Sequence, residues 1–517
     1  MKAAENWLDA LLLFPRPEYA KQTEALLTDL IWRSPGSSLA TSVSGSALFD
    51  ELSRLKTKDD PKDWPEPDRL VPQQQKGGNK RTQGTLDLAM SLPSTGRVMI
   101  PQGAKAPVEP ILHSLFAPQA RGAKSIACVP LHPSVVALQT LHGLVNKESP
   151  SNLSAAIETM GWHGGAPSEG SVAASYLSAS QLAANARQGV TGAIEWLLPE
   201  IAQHVWASLP ALYQKSFTDW PTWPTVAANV PAAGQLSLLA PYSNTPFAWF
   251  WNKWQSLCAP SGRWHHVLPV RRFVDWALCL LRTGLAFSYL WEAEFYCRLH
   301  ERIAIRAGNT PASQINRLES LLVNGASLAT IEPPGVPASQ KNMWPATSEL
   351  IARGWKARSL FWEGIESNDV MPAGTNLVAS LESWVTGLNS DQLAAMGIQL
   401  QTTPRMANNQ KEFVKYLLLP RLSDDDSGDQ ADFYFLARTS TNSRQAWFRP
   451  GPEWLVVVTS LLCRNPGGRC TLGELTADLA QLGIRAERSV IVGLLEEAGL
   501  STDSPDADNA LVIRAGF

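Results

Sequence analysis

Eight histidines and a scatter of carboxylates are the residues of this chain that could move a proton or hold a metal ion. The closest approach to a catalytic set is Glu292…His300-Glu301, carried on one predicted helix. A carboxylate beside an imidazole orients it for general-base work, and together they can bind a divalent cation. That chemistry would suit a metal-dependent nuclease or another hydrolase. The same stretch holds Glu294 with Arg298 and Cys297 with Glu301, both at i and i+4. Helix-surface or core pairing accounts for such spacing more often than catalysis does. His265-His266 is the other conspicuous pair, but adjacent side chains diverge on a helix or strand and rarely share a metal. No H-E-x-x-H or G-x-S-x-G pattern occurs, and the loop Pro101-Gln102-Gly103-Ala104-Lys105 has too few glycines to cradle a phosphate. The six cysteines form no C-x-x-C pair, which fits reduced thiols in a reducing compartment and not a zinc site. Glu292, His300 and Glu301 therefore stand as weak catalytic candidates. No metal-ligand set and no cofactor is expected, and a non-catalytic protein is the favoured reading.

The second chemistry to weigh is binding. Between Phe247 and Arg306, Trp249, Trp251, Trp254, Trp264, Trp276 and Trp291 are interleaved with Lys253, Arg263, Arg271, Arg272 and Arg282. Aromatic faces beside guanidinium groups would serve a groove that tracks single-stranded nucleic acid. A Trp-filled helical core with arginines at its rim gives the same pattern and is the stronger expectation. Near the C-terminus, Arg469, Arg485 and Arg488 are the bases placed to meet phosphate or base edges. From Glu453 onward, however, nine acids face five arginines, which opposes a broad phosphate-binding surface.

These residues have to be positioned by helices. Helical spacing runs through Glu5–Leu13, Pro17–Trp32, Leu153–Met160, Tyr176–Ala186, Ala193–Leu209 and Val270–Ala307, and returns at Leu350–Ile365, Leu377–Leu388 and Gln392–Met396. Two short apolar runs near Val98 and Ile126 flank a helical stretch and predict a small α/β element over residues 95–150. The polar stretch Thr57–Thr85 and the proline-rich Thr330–Pro345 read as linkers, and Asp424-Asp425-Asp426 marks a third boundary. The expected fold is mainly α. Residues 1–56 form an N-terminal helical segment and 57–90 a flexible linker. Residues 91–330 form a helical body with the small sheet, 346–423 a helical extension, and 430–517 a winged-helix-like domain.

The C-terminal expectation is the most detailed. Glu453–Arg464 forms a first helix, closed by Asn465-Pro466-Gly467-Gly468. Thr471-Leu472-Gly473-Glu474 is a capping-box pattern that opens a second helix, Leu472–Leu482. A third helix, Ala486–Ala498, ends at Gly499, and a polar turn leads to a strand at Ala510–Arg514.

Size and charge set the remaining bounds. At 517 residues the chain can bury several cores. A net charge of −3 provides no global field for nucleic acid, so any DNA contact must be local. Charged residues make up only 18% while tryptophans number 20, a balance that suits either large cores or a surface covered by partners. Asp275 and Arg282 interrupt the longest apolar run, Phe273–Leu290, and the N-terminus lacks a basic leader. A cytoplasmic location without a membrane partner is expected.

The run Tyr434…Arg438…Arg449-Pro450…Trp454-Leu455, closing with Gly499-Leu500…Asp506-Ala507-Asp508…Val512…Phe517, resembles the winged-helix tails of large accessory proteins in bacterial phage-defence operons. The resemblance spans about the last 85 residues. It implies a non-catalytic subunit of an antiviral defence assembly, working beside other proteins and in contact with DNA, with partner proteins, or with both. A pure protein scaffold and the unrecognised hydrolase are the alternatives.

Overall fold

The computed structural model describes residues 24–38, 153–187, 226–230, 237–308, 317–368, 376–420, 432–439, 445–502 and 511–517. The predicted linker 57–90, the small α/β element at 95–150, the helices Glu5–Leu13 and Ala193–Leu209, the acidic run at Asp424 and the turn 503–510 lie outside the described residues.

The protein is mainly helical. In chain order the helices before the first strand are α1 (Glu24–Arg33), α2 (Leu153–His163), α3 (Ser171–Arg187), α4 (Pro246–Cys258), the short α5 (Trp264–Val267), α6 (Val270–Arg306) and α7 (Arg317–Asn324). Strand β1 (Ala329–Ile331) is followed by α8 (Trp344–Asn368), α9 (Leu377–Gly387), α10 (Ser390–Met396) and α11 (Asn408–Leu418). The C-terminal portion contains β2 (Ala437–Thr439), β3 (Ala446–Phe448), α12 (Pro452–Leu462), β4 (Arg469–Thr471) and α13 (Leu472–Gln481). It closes with β5 (Ile484–Ala486), α14 (Arg488–Glu497), β6 (Ser501–Thr502) and β7 (Val512–Arg514).

The 37-residue α6 is the axis of the molecule. It is apolar nearly all round, so it belongs inside, and from Phe273 to Phe295 almost every side chain is buried. By length and composition it could cross a membrane, yet its apolar stretch is enclosed by the other helices. The glycines let neighbours come close. A Cβ on Gly284 would meet Met160 and Phe250, and one on Gly354 of α8 would lie 2.4 Å from the Ala293 Cα of α6. Arg282, a charge inside this core, is fully engaged. It is 1% exposed, donates to both carboxylate oxygens of Asp432, and donates to the carbonyls of Leu417 and Leu419.

Buried carboxylates assemble the N-terminal corner. Asp29 of α1 accepts from the Ser154 backbone N–H at 2.7 Å, capping α2 from another helix. Glu158 accepts from the N–H groups of Gly170, Val172 and Ala173 at the start of α3, and from the Ser34 hydroxyl.

The C-terminal helices fall close to the positions expected from their capping signals. The Thr471–Glu474 capping box is formed, with the Thr471 N–H donating to Glu474 Oε2 at 2.8 Å. Gly499 takes φ +68° just beyond α14. Three short strands join these helices in an antiparallel sheet of order β4-β7-β6. Two features differ from the expectation. The predicted linker Thr330–Pro345 opens on β1, and β1 pairs in parallel with β5, a strand between α13 and α14 that has no sequence signal of its own. Three-residue strands carry too little period-2 pattern to stand out, and here the pairing is created by tertiary contact.

Candidate functional site

Glu292 and His300 lie eight residues apart on α6, a rise of about 12 Å, too far for one ion or one proton relay. Glu292 is 2% exposed, and its Oε1 accepts from Arg358 Nη1 at 2.8 Å, tying α6 to α8. The His300 ring meets the Ile398 carbonyl at 2.9 Å through Nε2, and burial holds its pKa below the ordinary value. Glu301 is half-buried on the next position of the helix. The three weak candidates are not brought to one point. No group of three His, Cys, Asp or Glu side chains able to hold a metal is found among the described residues. Thiol chemistry fares no better in the trunk. Burial pushes Cys279 and Cys297 up to about 12, far from a reactive thiolate.

The aromatic–cation stretch resolves into core. Trp249, Trp254, Trp264, Trp276 and Trp291 have no exposed surface, so their faces stack on neighbouring side chains and not on bases. Lys253, Arg272 and Arg282 are tied into the fold. Lys253 meets Asp478 at 2.6 Å, and Arg272 donates to the Tyr434 hydroxyl at 2.7 Å and pairs with Glu453 at 3.1 Å. Arg263 is exposed and left-handed at φ +58°, immediately after a single 3-10 turn at Pro260–Gly262. Arg271 sits in the first turn of α6, with its side chain outside the described residues.

The C-terminal arginines are placed differently. Arg469 and Arg514 are both exposed and face each other directly across β4 and β7. Like charges opposed on adjacent strands repel, so the pair costs stability unless something negative lies between them. Arg488 opens α14 and is exposed, as is Ser489 beside it. Arg485 is exposed on β5, opposite Thr330. At the other end of α14, Arg449 grips Glu497 through both carboxylate oxygens, at 2.6 and 2.8 Å. The register thus brings Arg469 to Arg514, while Arg485 belongs to the separate β1–β5 pair. Arg514 escapes sequence reasoning because its partner is set by strand register, which no local pattern around it encodes. Chemically, two adjacent guanidinium groups paired across neighbouring strands of one sheet can bind a phosphate or a carboxylate.

Compared with known proteins, this chain matches no family model, no curated protein and no solved structure.

Proposed function

We propose that this chain is a non-catalytic subunit of a cytoplasmic bacterial anti-phage assembly, contacting DNA and partner proteins through a C-terminal winged helix. The observation that carries the reading is the order of elements. Helix α12, strand β4, helix α13, helix α14, then β6 and β7 occur in that order, with β7 lying between β4 and β6, and the short β5 between α13 and α14 pairs outside this sheet. Three helices with a three-stranded antiparallel sheet in that order are what a winged helix calls for. The Arg469–Arg514 pair lies on the sheet that would carry the wing, where backbone phosphates are met, and Arg488 opens the helix that would approach a groove. The membership of a defence assembly rests on the resemblance of the tail and on the low charge of the body. The acid excess of the module favours a small DNA footprint, with partner proteins covering the rest of its surface.

The test is a salt series of duplex binding with the full chain, read by fluorescence anisotropy. Log affinity is expected to fall linearly with log salt. The double change Arg469→Ala with Arg514→Ala should flatten the slope by about 1 to 2, since each phosphate neutralised by a guanidinium group contributes about one. Absence of salt-dependent binding would remove DNA from the proposal and leave partner docking.

A further inference from the structure

A cleft of about 690 Å³ separates the trunk from the C-terminal module. One wall is built by α4 and the 3-10 turn after it, with Asn252, Lys253 and Gly262 among its residues. The other is built by the end of α12 and by α13, including Arg464, Asn465 and Gln481. The Ser256 hydroxyl donates to the Leu461 carbonyl at 3.0 Å and joins the two walls.

We propose that this cleft binds a small ligand through an oxyanion, a phosphoryl or carboxylate group, held by Arg464 and the Lys253 ammonium. Three observations support this. Lys253 is 4% exposed and lines the cleft, and its contact with Asp478 Oδ1 engages one of three ammonium hydrogens. The other Asp478 oxygen is turned to the core, where it accepts from Trp249 Nε1 at 2.9 Å. Donors therefore remain for a ligand on the cation, and the carboxylate is occupied.

The second observation is backbone strain. Among the described residues three non-glycine residues have positive φ, and two of them are Arg464 (+66°) and Arg263 (+58°). Arg464 lines the cleft from the module, and Arg263 directly follows Gly262 on the trunk wall. Left-handed backbone after a helix or turn is normally given to glycine or asparagine. Arginine in place of glycine at Arg464 sacrifices stability to present a guanidinium group at the cleft, and such strain gathers at ligand sites. The third is chemistry and size. Two lining cations, Lys253 and Arg464, face one acid, side-chain amides supply further donors, and no aromatic ring lines the space, so the oxyanion and not a stacked base is what the cleft can recognise. The volume is that of a metabolite site and is too small for a folded partner.

The inference does not depend on DNA contact at the Arg469–Arg514 pair. Calorimetric titration of the full chain with inorganic phosphate, with ATP and with citrate separates the sources of the oxyanion. Binding of phosphate and ATP over citrate assigns a phosphoryl ligand, and the reverse order assigns a polycarboxylate. Arg464→Gly should weaken the binding ligand at least tenfold while leaving the ligand-free melting temperature equal or higher, because glycine accepts φ +66°. Arg306→Ala, at the far end of α6, serves as the control and leaves affinity unchanged. Failure of all three probes to bind, or equal affinity in the parent and Arg464→Gly, overturns the proposal.

Discussion

Asp29 and His163 serve the two ends of α2 and respond to pH in opposite directions. Burial raises Asp29 from 3.8 to about 7, against the pull of Arg33 at 3.3 Å and the N–H donors it caps. Its contribution to stability is complete below pH 3.8 and is lost as pH climbs through 7. Burial lowers His163 from 6.5 to about 3, with Nδ1 held at 2.6 Å from the Ser237 hydroxyl. The folded form resists protonating it, so this stability is present above pH 6.5 and is lost as pH falls toward 3. Between pH 3.8 and 6.5 the two slopes oppose each other. Relative to the parent, Asp29→Asn should make stability rise more steeply with pH in that window, by about 1.4 kcal/mol per pH unit. His163→Gln should tilt it the other way by a similar amount. Urea midpoints measured across the window check both signs, and a matching tilt in the two variants would contradict the assignment. Neither group announces itself in the sequence, where a lone aspartate or histidine on a helix reads as surface. Asp29 is buried because α1 packs on α2, an association of segments more than a hundred residues apart.

At the scale of elements, the packing of α6 on α8 depends on a missing side chain. A Cβ at Gly354 would lie 2.4 Å from Ala293 Cα and 2.7 Å from its carbonyl oxygen, and backbone cannot swing aside as a side chain can. Gly354→Ala is therefore expected to destabilise the protein by about 1 to 3 kcal/mol through overpacking, although alanine is the better helix former. Chemical denaturation would reveal this, and a stabilised variant would mean that the helices do not approach so closely. The helices themselves were legible. Long apolar stretches and capping residues such as Thr471 with Glu474 are local signals, and the structure places α6, α9, α10, α12 and α13 within a few residues of the expectation. The helix expected over Leu350–Ile365 extends at both ends to Trp344–Asn368, past the apolar stripe that announced it. Most of the strands were not legible. Each of them is three residues or fewer, and their existence depends on a partner brought from elsewhere in the chain.

At the scale of the whole molecule, the C-terminal module is fastened to the trunk by more than its linker. Trp454 donates to the Thr283 hydroxyl of α6 at 2.9 Å, Trp249 and Lys253 both hold Asp478, and β1 pairs with β5. One continuous apolar core runs from Leu26 to Ile513. The trunk and module should consequently unfold together. Asp478→Ala leaves Lys253 buried without its carboxylate and is expected to cost about 3 to 5 kcal/mol. Trunk tryptophan fluorescence and hydrogen exchange in α12–α14 should report the same lowered midpoint. Two separated transitions would show instead that the module folds on its own.

The sequence alone determined which segments coil into helices and that the tail holds three short helices before a last strand, and it favoured an interior place for the tryptophan-rich stretch, since periodicity, caps and hydrophobicity act over a few residues. Tertiary structure decided the rest. It separated Glu292 from His300 on a common helix, set Arg469 against Arg514, sank Lys253 onto Asp478, and opened a cationic cleft between two walls. Those outcomes depend on register and on burial between distant segments, where low dielectric and close packing, and not local propensity, determine which charges meet.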